Sequence, residues 1–270
     1  MSVTAVIAGQ GALPALLVAA LGARPHLVAE MEGCPADLPG AAPLRYRIER
    51  LVPFLDQLQA AGVGRVVFAG GIRRPRIEPG LIDLRTVTLV PRLVNASQKG
   101  DDAVLREVVA IFEDWGFEVV GADAILPDLV PGPGIVAGTV MAPERKDVDR
   151  AAEIVAALGA LDIGQGAVVA GGLCLAVETL PGTDAMLGFV AAQRRDPGQG
   201  GARGVLYKAP KPGQDRRIDL PTLGPDTVRL AAAAGLAGIA WEAGGALLLD
   251  RASMEAEAHR AGLFLWARAP

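Results

Sequence analysis

Apolar residues in this chain come in short runs separated by glycine turns, and the runs alternate between strand and helix character. Val3–Ala8 is an apolar stretch closed by Gly9-Gln10-Gly11, and ALPALLVAALGA then has the composition of a helix. Pro14 fits its first turn, where a missing amide hydrogen breaks no bond. HLVAE (26–30) and PLRYRI (43–48) read as the next strands, 48–61 as a helix, and RVVFAG (65–70) as a strand buried on both faces. AVLREVVAIFEDWG places Val104, Leu105, Val108, Ile111 and Phe112 on one stripe. Asp101 or Asp102 is expected to cap this helix, and Gly116 to stop it before a strand in FEVVGA (117–122). Strand and helix in alternation predict a parallel sheet covered on both faces.

That rhythm breaks at 126–147, which holds four prolines and three glycines. A domain boundary near residue 130 follows, with an α/β domain over 1–130 and a mixed α/β domain over 131–270. In the second half Asp147 reads as the cap of the helix VDRAAEIVAALGALD. GAVVA and LCLAVE, joined by Gly171-Gly172, read as a β-hairpin. A short helix from Thr183, the strand GVLYKA, a helix from Pro225 to Gly235, the strand pair GIAWEA and ALLLD, a helix near 252–261 and the strand LFLWAR complete the order. No doubly wound pattern is legible in this half.

Composition narrows the picture. Half of the 270 residues are hydrophobic, which excludes disorder, and only 4% are aromatic, so the core is expected to be aliphatic. The net charge of -4 is spread along the chain without a basic tract, which argues against a nucleic-acid partner. The amino terminus carries no basic leader, and no apolar run is long enough to cross a bilayer, so a cytosolic location is expected. Cys34 and Cys174 stand far apart in sequence, His26 and His259 are equally isolated from each other, and none has a partner at metal-ligand spacing. Any catalysis must then rest on carboxylates, lysines, arginines, hydroxyls or a hard metal ion.

Candidate chemistry falls in five segments, and the ligand is expected in the cleft between the two halves. Gly9-Gln10-Gly11 is either a tight turn or a phosphate-contacting loop; Pro14 stands where the third glycine of a dinucleotide fingerprint belongs. Gly70 and Gly71 end a central strand, and Arg74 follows them as an oxyanion partner or as an exposed loop residue. Lys99, Asp101 and Asp102 either serve the next helix or hold a substrate hydroxyl or a metal-bound water. Thr183 and Asp184 begin a helix whose amides and hydroxyl suit a phosphate, with Asp184 suited to magnesium. Lys208, Lys211, Gln214 and Asp219 lie between prolines, and Asp219, flanked by Ile218 and Leu220, is a half-buried carboxylate in need of a partner. This set suits phosphoryl chemistry assisted by Mg²⁺ or Mn²⁺, with Asp219 holding the ion or a water. A non-catalytic nucleotide-sugar binding module accounts for most of the same features.

The strings AGQGALP, FAGGIRRP, KGDDAVLREV, LDIGQGAVV, GTDAM and KAPKPGQDRRIDLPTLG occur in an order and spacing that resemble the UDP-2,3-diacylglucosamine pyrophosphatase family of lipid A synthesis, the form unrelated to the calcineurin-like enzymes. The resemblance spans nearly the whole chain. It departs from the family at Gly70-Gly71, where relatives tend to carry a polar residue. It implies a Rossmann-like amino-terminal domain and a distinct carboxyl-terminal catalytic domain with the lipid product held between them. It also implies magnesium-dependent hydrolysis of UDP-2,3-diacylglucosamine to UMP and 2,3-diacylglucosamine 1-phosphate (lipid X), with water directed to the α-phosphorus. Asp219 falls on the family's catalytic aspartate in DLPTxG, and Gln165 in DIGQG is taken as a substrate-binding residue. The acyl chains imply an apolar groove and peripheral work at the cytoplasmic face of the inner membrane, and a homodimer is compatible with this reading.

Overall fold

The computed structural model describes residues 2–38, 40, 42–72, 76–193 and 201–269. The chain divides into two compact units, Met1–Pro127 and Asp128–Pro270.

The first unit is built on one parallel sheet. Its strands are β1 (Val3–Ala8), β2 (His26–Met31), β3 (Leu44–Tyr46), β4 (Val63–Ala69) and β5 (Glu118–Val120), in the spatial order β3-β2-β1-β4-β5. The central pair β1 and β4 buries Ala5, Val6, Ile7, Ala8, Val66, Val67 and Ala69, a nearly continuous apolar run of the kind that strands covered by helices on both faces carry. The helices are α1 (Leu13–Leu21), α2 (Leu51–Ala60), α3 (Val90–Ser97) and α4 (Asp101–Asp114). This is the doubly wound order, whose switch point lies between β1 and β4.

Two sequence expectations are corrected here. Gly100, with φ +108°, takes the cap position of α4, and neither Asp101 nor Asp102 caps it; both stand inside its first turn, where Asp102 pairs with Arg106 at 2.9 Å. A glycine fits a positive φ that an aspartate there would adopt only with strain. The helix α3 lies in a stretch read only as a connection. The core is aliphatic, as the composition suggests, and carries one aromatic patch: Tyr46 stacks on Phe54 at 4.1 Å, and Phe54, Phe68 and Phe117 pack around Phe112. The scarce aromatics are gathered into one place, and burial, aided by Cys34 nearby, pushes the Tyr46 hydroxyl well above its usual range.

The second unit has a six-stranded sheet in the order β6-β13-β11-β9-β7-β8, from β6 (Gly134–Ala137), β7 (Gly166–Ala170), β8 (Leu173–Val177), β9 (Val205–Lys208), β11 (Gly238–Glu242) and β13 (Phe264–Arg268). A small parallel pair joins β10 (Thr222–Leu223) to β12 (Leu247–Leu248). The run read as a strand partner of GIAWEA therefore does not pair with it: β11 is occupied on both edges by β9 and β13. Between strands come α5 (Ala142–Gly159), α6 (Gly182–Gln193), α7 (Pro225–Ala233) and α8 (Arg251–Ala261). Two buried clusters cover the sheet, one centred on Trp241, Leu206 and Leu265, the other on Val148, Val169, Val205 and Phe264.

The β7–β8 hairpin forms as its glycines predict, with Gly171 and Gly172 at φ +57° and +79°. Asp147, expected as a helix cap, lies inside α5 and does a different job. Its carboxylate accepts hydrogen bonds from the amides of Gly172 and Gly171 at 2.7 and 3.0 Å and so fixes the hairpin turn. Among the described residues, no helix is long and apolar enough to cross a membrane.

Candidate active site

In the first unit the glycine turns after β1 and β4 meet at the switch point. The amide of Gln10 donates to the Gly71 carbonyl at 2.8 Å, and the Gly71 amide to the Gln10 carbonyl at 3.0 Å. A side chain at Gly9 would lie 2.5 Å from the Gly71 oxygen, and one at Gly70 (φ +87°) 2.4 Å from the Gln10 oxygen. These two glycines are required by each other's backbone. Gly11 and Gly71 have open space where a Cβ would stand, and both are exposed. Lys99 is exposed at the approach to α4, and Arg74 falls outside the described residues.

In the second unit the chemistry collects where β8, β9 and β11 end. β8 and β9 both run antiparallel to β7, and β11 runs parallel to β9, so their carboxyl ends share one edge of the sheet. Carboxyl ends of parallel strands are where α/β sheets take ligands, because loops there diverge and leave room. Lys208 is the last residue of β9 and is almost fully buried. Its ammonium donates to the Thr183 hydroxyl at 2.5 Å, at the start of α6, and lies 3.2 Å from Glu178 Oε2. That oxygen is itself buried and has no well-aligned hydrogen bond, so the contact is chiefly ionic. Gly166 faces the pair, and a Cβ there would come within 2.7 Å of the carboxylate.

The loop after β9 is folded on itself. The Gln214 amide donates to the Lys211 carbonyl at 3.1 Å, and the Asp219 amide to the Asp215 carbonyl at 3.3 Å. Gln214 is 8% exposed, and its side-chain NH₂ donates to Asp219 Oδ2. The loop is also pinned from outside: Lys211 to Asp162 at 2.5 Å and Arg216 to Glu242, at the end of β11, at 2.5 Å. Arg217 pairs with Asp215 at 2.7 Å within it. The basic segment is thus a set of ion pairs, and each of Lys208, Lys211, Arg216 and Arg217 has a carboxylate partner. Asp219 is half-buried, as its apolar neighbours predict.

Lys208, Thr183, Gln165, Lys211, Gln214 and Asp219 are all brought to this edge, since Gln165 immediately precedes β7 and its carbonyl accepts from the Ala209 amide at 3.1 Å. Asp184 sits exposed on the first turn of α6. Sequence reasoning missed Glu178 and Asp162 as partners of the two lysines. The available signal was Glu178 itself, an acid closing an apolar strand. Beside Thr183 an apolar groove of about 270 Å³ runs between the end of β8 and α6, lined by Val177, Pro181, Ala185, Met186 and Phe189 among others.

The class these features define is a two-unit α/β protein whose polar chemistry is collected at strand ends. The chain belongs to the LpxI family: the family model of the LpxI N-terminal domain matches residues 3–129, and that of the LpxI C-terminal domain matches residues 133–266. It is 45% identical over 218 residues to the UDP-2,3-diacylglucosamine pyrophosphatase LpxI of Caulobacter vibrioides, with 77% of this chain and 75% of that protein covered. The resemblance read from the motifs is borne out.

Proposed function

We propose that this protein hydrolyses the diphosphate of UDP-2,3-diacylglucosamine to UMP and lipid X, in lipid A synthesis. The observation that carries the reading is the gathering of Lys208, Thr183 and the folded Asp219 loop at one edge of the second unit's sheet, in a chain of this family. Water adds to the α-phosphorus, and the bond to the bridging oxygen breaks. The electron pair leaves with that oxygen on the sugar 1-phosphate, and the water oxygen stays on UMP. Asp219 orients the water, Lys208 and Lys211 offset charge on phosphate oxygens, and the Thr183 hydroxyl and the first amides of α6 hydrogen-bond to them. On the first unit, Gly9, Gln10, Gly11, Gly70, Gly71, Lys99, Asp101 and Asp102 are the proposed substrate-contacting residues.

Magnesium, with manganese as the alternative, suits the donors on offer, because Asp219 and Asp184 present hard carboxylate oxygens. Among the described residues no group of three or more His, Cys, Asp and Glu side chains gathers. Asp219 or Asp184 would hold such an ion through a carboxylate oxygen. Such an ion, when bound, neutralises charge on the diphosphate. The apolar groove beside Thr183 suits an acyl chain, and a lipid substrate places the protein peripherally at the inner membrane's cytoplasmic face.

The test is incubation with UDP-2,3-diacylglucosamine in isotopically labelled water, with and without EDTA. Label in UMP, and loss of turnover with the chelator, are expected. Binding of a UDP-sugar without any product would make the protein a carrier or sensor instead.

A further inference from the structure

The Gln214 carboxamide has a determined orientation. Its oxygen faces two N–H groups, the Lys211 backbone amide at 2.8 Å and the Gln165 side chain at 2.7 Å. Its other end faces the Asp219 carboxylate, which in the ionised form only accepts. Turning the amide over would set NH₂ against the Lys211 backbone N–H and oxygen against a carboxylate, so these two fixed partners determine its orientation, and Gln165 turns its NH₂ to match. The hydrogen bonds run one way, from Gln165 to Gln214 to Asp219, and each polarises the next. With Gln214 8% exposed, the relay passes through a buried amide and ends on the half-buried Asp219 carboxylate.

We propose that Gln214 is a positioning residue, which aims the Asp219 carboxylate and does not itself bind substrate. The inference rests on the reading of Asp219 as the group that orients the attacking water. Both lone-pair directions of the Gln214 oxygen are taken by protein donors, and the NH₂ is directed at Asp219. Gln165 acts one step further back, by holding the amide of Gln214. A carboxylate whose oxygen is fixed by a buried donor is already oriented before substrate arrives, and misorientation by even about 1 Å costs on the order of a hundredfold in rate.

The substitution Gln214→Glu separates aiming from mere loop closure. Glutamate at this position still accepts from the Lys211 amide and from Gln165, so it keeps the clasp; two carboxylates in contact share one proton, so kcat is read across pH, up to where that proton is lost and no hydrogen remains for Asp219. Steady-state hydrolysis of UDP-2,3-diacylglucosamine is measured for wild type, Gln214→Glu, Gln214→Met and Asp219→Asn, with the melting curve of each as a check on folding. The expected result is a fall in kcat of about ten- to a hundredfold in both Gln214 variants, with KM within about twofold of wild type. A raised KM with kcat unchanged would make Gln214 a substrate contact. Wild-type kcat in Gln214→Glu with a loss in Gln214→Met would make it a loop clasp only. Either outcome overturns the proposal, as does wild-type behaviour of both. If Gln214→Met does not fold, Gln214→Glu decides alone. An inactive Asp219→Asn beside a fully active Gln214→Glu removes this inference and leaves the role of Asp219 standing; an active Asp219→Asn removes the reading on which both depend.

Discussion

The Lys208 ammonium lies 3.2 Å from the Glu178 carboxylate, with 5% of the lysine side chain and 13% of the glutamate side chain exposed. Two charges so withdrawn from water depend on each other. Removing one strands the other without solvent or counter-charge, at a cost of roughly 3–5 kcal/mol. Glu178→Ala is therefore expected to unfold at markedly lower urea concentration than wild type. The double variant Glu178→Leu, Lys208→Met is expected to recover most of that loss, since no charge then remains buried. Equal destabilisation by the single and double variants would contradict this account of the pair.

Asp147 joins α5 to a turn more than twenty residues away. Asp147→Ala leaves the Gly171 and Gly172 amides without their charged acceptor, and about 2–3 kcal/mol of stability is expected to go with it. Asp147→Asn, with one oxygen retained, is expected to fall between. Amide hydrogen exchange at Gly171 and Gly172 reads the effect directly, and unchanged protection in Asp147→Ala would show that the turn holds itself.

The interlocked turns of the first unit predict a contrast between adjacent glycines. Gly70→Ala meets backbone at 2.4 Å from a positive φ, and a loss of roughly 2–4 kcal/mol is expected. Gly71→Ala meets open space and is expected to stay within about 0.5 kcal/mol of wild type. Thermal melting of the two variants side by side checks the ordering.

Glu49 gives a pH dependence. Burial alone would raise its carboxyl, but hydrogen bonds from the Glu78 amide at 2.9 Å, from its own backbone and from Arg47 outweigh burial and hold it below the usual range. Its folded value is thus lower than its unfolded one, near 4.3. The stability it contributes is fully present above that unfolded value and is lost as pH falls through the depressed folded one. Glu49→Gln is expected to be less stable than wild type at pH 7, by about 1–3 kcal/mol. The difference should shrink as the pH is taken below about 4. A gap that stayed constant down to pH 3 would assign the effect to shape and not to charge.

What the sequence made legible follows from how local each signal is. β1, the hairpin at Gly171-Gly172 and the helices before Gly116 and Gly235 depend on periodicity and on glycines a few residues away, and they form as read. The pairing of β12 with β10 was hidden, because an apolar run such as ALLLD carries no mark of its partner. Asp147 has a good capping context in sequence and a better use in the fold, which only the approach of the hairpin creates. In the site, Asp219 announced itself by its apolar flanks. Its aiming by Gln214, the Gln165 link behind it and the Glu178 counter-charge to Lys208 join residues that fold, and not spacing, brings together.

The central claim is tested most directly by the turnover of Asp219→Asn with UDP-2,3-diacylglucosamine. Asparagine keeps the shape of the side chain and an oxygen for the Gln214 donor, and removes only the charge. A loss of at least about a hundredfold in kcat, with the melting curve and UDP-sugar binding retained, is the predicted result. Turnover near that of wild type would contradict the account.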